Sequence, residues 1–162
     1  MKKTALWLLL AAILVMGTAC GNSATEETTE AKADSILDGD LSTIVQKIYE
    51  GTEIELPNTA DTLLTEENEA YYIGTTDALY TEGLASEPMM SSIAHSVVLL
   101  RVEDGADIDQ IKADIKAKVD PRKWICVGVE QENVVVDSIG NLVILIMSEN
   151  STALHDAFKA LE

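Results

Sequence analysis

Two histidines, two cysteines and 28 carboxylates are the residues of this chain with chemical potential, and their spacing limits what they can do. His95 and His155 belong to no HExxH run and to no histidine pair at metal-ligand spacing, and no CxxC lies near either, so no zinc site is predicted. The run Glu103 to Asp109 is acidic enough to suggest a calcium loop, but its glycine, Gly105, falls too early and the closing bidentate glutamate is missing. It reads as a turn followed by a helix cap. A general acid/base pair needs two carboxylates facing one cleft, and nothing in the spacing nominates a pair. The sequence marks of nucleotide-binding loops, nucleophile elbows and SxxK enzymes are absent. No catalytic residue, no metal and no cofactor is therefore assigned.

The cysteines are more informative about address than about catalysis. Met1-Lys2-Lys3 is a basic start, Leu6 to Met16 an apolar run, and Gly17-Thr18-Ala19-Cys20 a small-residue cleavage site ending in cysteine. This is the pattern of a bacterial lipoprotein signal peptide over residues 1–19, with Cys20 as the lipidated (palmitate-bearing) new N-terminus. The apolar run is shorter than a comfortable transmembrane helix. Several acyl chains on Cys20 hold a protein to a membrane far more firmly than one. Cys126 then has no partner within the chain, and its setting in Trp124-Ile125-Cys126-Val127 predicts a buried, inert thiol.

Charge excludes further classes. The formal net charge is −17, two units more negative once Lys2 and Lys3 leave with the leader. A nucleic-acid surface needs cations to displace phosphate counterions, so no nucleic-acid partner is expected. An acidic domain is also repelled by anionic headgroups, so the lipid must do the holding. Residues 20–35 supply a tether: the stretch Gly21 to Asp34 is rich in Ser, Thr, Glu and Ala and carries no large apolar residue. Residues 36–162 are the right size for a single domain.

Against this acidity, Lys112, Lys116, Lys118, Arg122 and Lys123 cluster with only Asp114 and Asp120 among them. They form either a patch that docks an anionic partner, with Trp124 as a contact residue, or a solvated helix end whose cations complement the macrodipole, with Trp124 at the core. Met89 and Met90 suit packing or an adaptable contact surface.

The elements that must position these residues follow from periodicity. Leu41, Ile44, Val45 and Ile48 predict a helix over Leu41 to Glu50, capped by Asp40 and closed by Gly51. Pro57 and Asn58 argue for irregular chain in Thr52 to Leu64, and Thr65 is placed to cap a short helix carrying Tyr71, Tyr72 and Ile73. Ala78 to Ser86 and Ile93 to Val102 read as strands. Asp107 caps a second long helix with a stripe of Ile108, Ile111, Ile115 and Val119, and Gln110 stands in capping-box position. Asn133 to Ile139 and Leu142 to Ser148 form a hairpin across Gly140-Asn141, of type II′. A last helix covers Ser151 to Leu161. The Leu142 to Met147 run is apolar at every position, so it lies centrally or has both faces covered. The expected fold is α+β, a two-layer sandwich of about four mainly antiparallel strands with helices on one face.

Pro88-Met89-Met90 ahead of the Val97 to Val102 strand, then an Asp/Lys-rich helix, NVVVDSIGNLVILIMS and a short final helix, resemble an uncharacterised family of small lipoproteins from anaerobic Gram-positive bacteria, a domain of unknown function. The likeness lies in pattern and order. Relatives carry a longer, more aromatic segment where this chain has Pro121 to Glu132. The resemblance implies an exported, membrane-anchored protein and supplies no catalytic residues. The combined expectation is a lipoprotein on the outer face of the cytoplasmic membrane. It acts there as a binding or accessory module for another envelope protein or an anionic wall component, and not as an enzyme. The alternative is a small envelope hydrolase with an unidentified carboxylate pair.

Overall fold

A strand that is apolar on both sides must be covered on both sides, and that demand shapes this molecule. The computed structural model describes residues 36–162; the leader, Cys20 and the acidic tether lie outside them. Along the chain come α1 (Leu41–Glu50), β1 (Thr59–Leu63), α2 (Glu69–Ile73), β2 (Tyr80–Pro88), β3 (His95–Val102), α3 (Ile108–Lys118), β4 (Val134–Ile139), β5 (Leu142–Ser148) and α4 (Ser151–Lys159). Single 3₁₀ turns occupy Ile36–Asp38 and Gln131–Asn133. The strands form one antiparallel sheet in the order β1-β2-β3-β5-β4.

Alternate residues of the interior strands feed two separate cores. Val97, Leu99, Leu142, Ile144 and Ile146 pack against Ile44, Ile48, Leu154 and Phe158 of α1 and α4. Val98, Leu100, Val143, Leu145 and Met147 pack against Ile111 and Ile115 of α3, Ile73 of α2, and Val119, Trp124 and Val129 of the segment that follows α3. The α+β class and the antiparallel sheet are as expected. The sheet has five strands rather than about four. The helices divide between its two faces rather than sharing one, because β3 and β5 carry apolar side chains on both.

The fifth strand, β1, lies within the stretch that reads as irregular from sequence. It is short, polar and mostly exposed, and its backbone pairing to β2, from Thr59↔Pro88 to Leu63↔Leu84, carries no apolar alternation for a sequence to display. Local chemistry explains the other boundaries. Asp40 Oδ1 accepts from the Ser42 and Thr43 amides at 2.8 and 3.4 Å and starts α1. Asp107 Oδ1 accepts from the Gln110 amide at 3.0 Å, while the Gln110 side chain reaches forward to Asp114 instead of back to Asp107, so only half of a capping box forms. The short helix α2 begins at Glu69, with Thr65 and Asn68 closing a turn ahead of it through Asn68 Oδ1 and the Thr65 amide at 2.8 Å. It ends at Gly74, left-handed at φ 75°, where any Cβ would sit 2.4 Å from the Lys118 backbone. In the β4–β5 turn Gly140 has φ 55° and Asn141 does not have positive φ, which is the type II′ pattern.

Arg101 on the central strand β3 reaches back to the start of the domain. Its Nη1 and Nη2 donate to the carbonyls of Leu37 and Gly39 at 2.9 and 2.7 Å, and its Nε to Glu82 at 3.1 Å.

Candidate functional site

Two polar arrangements sit at the end of the sheet where β3 begins and β5 ends. The first is a row of hydrogen-bonding side chains on the α1/α4 face. Ser148 of β5, His95 of β3, Ser86 of β2 and Thr59 of β1 lie on four strands adjacent in the sheet, and Tyr49 of α1 covers them. His95 Nδ1 is 3.1 Å from Ser148 Oγ and Nε2 is 3.0 Å from Tyr49 Oη. The Tyr49 hydroxyl also meets Ser86 and Thr59, and Ser86 Oγ donates to Thr59 Oγ1 at 3.0 Å. One set of proton positions satisfies every member. The Asn150 amide donates to Ser148, Ser86 donates to Thr59, Thr59 to Tyr49, Tyr49 to His95 Nε2, and His95 Nδ1–H to Ser148.

Burial governs the chemistry of this row. His95 is 2 % exposed, and desolvation pushes its pKa down to about 4. Desolvation likewise raises Tyr49 to about 12, against the lowering effect of its bonds to Ser86 and Thr59. A Ser–His contact invites comparison with a nucleophile and its base, but a base at Ser148 would have to become an imidazolium with only a neutral phenol behind it. The fold disfavours that cation, so the row is a weak general base and a strong neutral cross-brace.

The second arrangement is charged. Lys123, one of the five clustered cations, turns inward and is 3 % exposed at its side chain. Its Nζ lies 2.5 Å from Glu87 Oε1, an ionic contact without hydrogen-bond alignment. Three rings surround it, Tyr71, Tyr72 and Trp124, with centroids at 4.7, 4.9 and 5.4 Å. Tyr71 and Tyr72 meet edge to face. Burial lowers the Lys123 pKa, and Glu87 opposes that shift. This post ties three pieces of chain together: α2, the end of β2, and the loop from Val119 to Val129. The Ile125 amide donating to the Ser91 carbonyl at 3.1 Å adds a second tie.

The loops held in this way present apolar side chains to solvent. Met89 is 78 % exposed, Ile125 66 % and Met90 61 %, and Ile93 after Met90 and Tyr71 of α2 are exposed as well. Two open hollows lie here. One, of about 380 Å³, is lined by Ser92, Ala94, His95, Val127, Ser148 and Glu149 among others. The other, of about 260 Å³, lies among Asn58, Met89 and Met90, and both are bounded by Pro57 and Ile93.

The remaining predicted residues each engage partners of their own. Lys112 pairs with Asp109 at 3.0 Å, and Lys118 with Asp77 and Asp114 at 3.2 and 3.9 Å. Arg122 lies 3.8 Å from Glu130. Lys116 donates to the Val134 carbonyl of β4. Trp124 is buried, in the core as one of its two expected roles, and its Nε1 finds no partner. Cys126 differs from expectation: it is exposed and left-handed, at φ 63°, because the chain must reverse there to bury both Trp124 and Val129. His155 is half-buried on α4 and pairs with Asp137 of β4 at 2.7 Å. Cys20 lies outside the described residues. Among the described residues no group of three His, Cys, Asp or Glu side chains could hold a metal ion, and no helix is long and apolar enough to cross a membrane.

Sequence reasoning missed the His95 row and the Lys123 post. The row had one sequence signal, His95 inside an otherwise apolar run, whereas Lys123, beside Arg122, had none.

No family model, no curated protein and no solved structure matches this chain, so the resemblance to the lipoprotein family rests on its residue pattern alone.

Proposed function

We propose that the protein is a lipid-anchored binding module on the outer face of the cytoplasmic membrane, and that it contacts another envelope protein through the loops around Met89, Met90, Ile93 and Ile125. The observation that carries this reading is the pairing of those exposed apolar side chains with the buried Lys123–Glu87 post beneath them. A chain that spends a buried ion pair on fixing a loop, and then leaves Ile and Met on its outside, has the features of a prepared contact surface. The lone charged side chain lining the hollows, Glu149, supports binding over acid/base catalysis, which needs two. The anchor rests on the Cys20 sequence pattern, and labelled palmitate should enter the wild-type chain and not the Cys20→Ser variant.

The test is in-cell crosslinking of the tagged, full chain with mass spectrometry. A Met89→Ser/Met90→Ser/Ile125→Ser variant and a Lys112→Glu/Lys118→Glu/Arg122→Glu variant are run alongside. The same protein captured by wild type and by the charge-reversed variant, and lost from the apolar one, is the expected result. Loss only on charge reversal would move the contact to α3. Absence of any reproducible partner would overturn the binding reading.

A further inference from the structure

The two hollows at the loop face are neighbouring lobes, with Pro57 and Ile93 bordering both. The lobes differ in chemistry. Met89 and Met90 line the first, and their unbranched, polarizable side chains accommodate apolar groups of various shapes. The second is lined by hydroxyls and amides, Ser92, Ser148 and Asn150, and by the exposed carboxylate of Glu149. Glu149 is the single charged side chain lining either lobe. The floor is rigid, because His95 and Ser148 are locked to each other and to Tyr49.

We infer that these two lobes take a short extended segment of a partner polypeptide in which a large apolar side chain lies close in sequence to a lysine or arginine. The apolar side chain enters between Met89 and Met90, and the cation reaches Glu149. This deepens the binding-module reading and rests on it. Charge selects the occupant. An anionic lipid surface would meet Glu149 in a chain of net charge −17, and a second copy of the chain would bring the same charge against itself. A cationic peptide is attracted by both the local and the overall field.

The experiment uses the full chain in nanodiscs of zwitterionic lipid, with methyl-labelled Met and Ile, titrated with blocked octapeptides. Each peptide carries one Leu, Met or Phe and one Lys or Arg at separations of one to four residues, and matched controls carry Glu in place of the cation. Saturable shifts of the Met89, Met90 and Ile93 methyls, with core Met147 unmoved, are expected for the cationic set. The best cationic peptide should bind about tenfold more tightly than its Glu control, and Glu149→Gln should reduce that preference to about twofold, the part left to the overall field. Equal binding of both sets, or an unchanged preference in Glu149→Gln, overturns the inference while leaving the binding face intact. No shift at millimolar peptide overturns it as well, and the crosslinking experiment then decides separately whether the face binds anything. Methyl shifts on moving to anionic nanodiscs without peptide would make the membrane the occupant and overturn the polypeptide assignment.

Discussion

The His95 row and the Lys123 post both bury polar groups at one end of the sheet, and they solve the problem of burial in opposite ways. The row is neutral: each donor meets an acceptor across four strands, and the imidazole gives up its proton-binding capacity to fit. The post keeps its charges, relying on one ionic contact and three aromatic rings. A satisfied neutral network joins elements that already pack, here α1 onto the sheet. A buried charge pair is an expensive fastening, and it appears in a loop without regular structure, beside the buried Trp124. The contrast teaches that the two sites have different jobs, bracing and display.

The largest effect should come from removing one charge of the post. Lys123→Ala leaves Glu87 half-buried without its partner and should cost about 3 to 5 kcal/mol in urea unfolding. The double variant Lys123→Met/Glu87→Leu should recover most of that loss. Equal destabilisation in the single and double variants would mean that the charges are not what holds the loop.

Next is the row, read through pH. An unfolded chain binds a proton at His95 near the ordinary pKa of 6.5, whereas the folded chain resists until about 4. The stability contributed by neutral His95 is therefore complete above about pH 6.5 and lost as pH falls toward 4. The loss amounts to about 3 kcal/mol. Chemical denaturation of wild type and His95→Gln at pH 7, 5.5 and 4 should show the variant with the shallower acid slope. Parallel slopes would show that His95 is not held neutral. Tyr49→Phe, which leaves His95 Nε2 without its partner, should cost about 1 to 2 kcal/mol at neutral pH. A neutral outcome there would break the picture of a fully satisfied row.

The smallest effect on stability should belong to the display surface itself. Met89→Ser/Met90→Ser should change unfolding free energy by under about 0.5 kcal/mol while abolishing crosslinked partner. A large stability loss would make these side chains structural and blur the distinction between display and bracing.

What could be read from the chain follows the same division. α1 showed itself through Leu41, Ile44, Val45 and Ile48 at helical spacing, and the β4–β5 hairpin through two apolar runs about Gly140. Each of those signals is local. The direction in which Lys123 points is not, because Glu87, Tyr71 and Tyr72 come from distant stretches of sequence and meet only after β2 and α2 are in place. A lysine next to Arg122 looks like one more surface cation until that happens. Cys126 fails for the complementary reason: its neighbours are apolar, but a reversal of the chain turns it outward. The division of helices between two faces was legible in principle, since Leu142 to Met147 required cover on both sides. The side on which each helix packs depends on connections that periodicity does not encode. β1 carried no pattern because an edge strand with exposed side chains needs only backbone partners.

Arg101 gives the domain a mechanical character. A pull on the chain ahead of Ile36, as from a membrane tether, would be carried by the guanidinium's grip on the Leu37 and Gly39 carbonyls directly into β3, the middle strand of the sheet. Load entering at the centre is shared by hydrogen-bonded neighbours on either side, whereas load entering at an edge would peel strands one at a time. The hollows at the far end of β3 would then keep their shape under such a load.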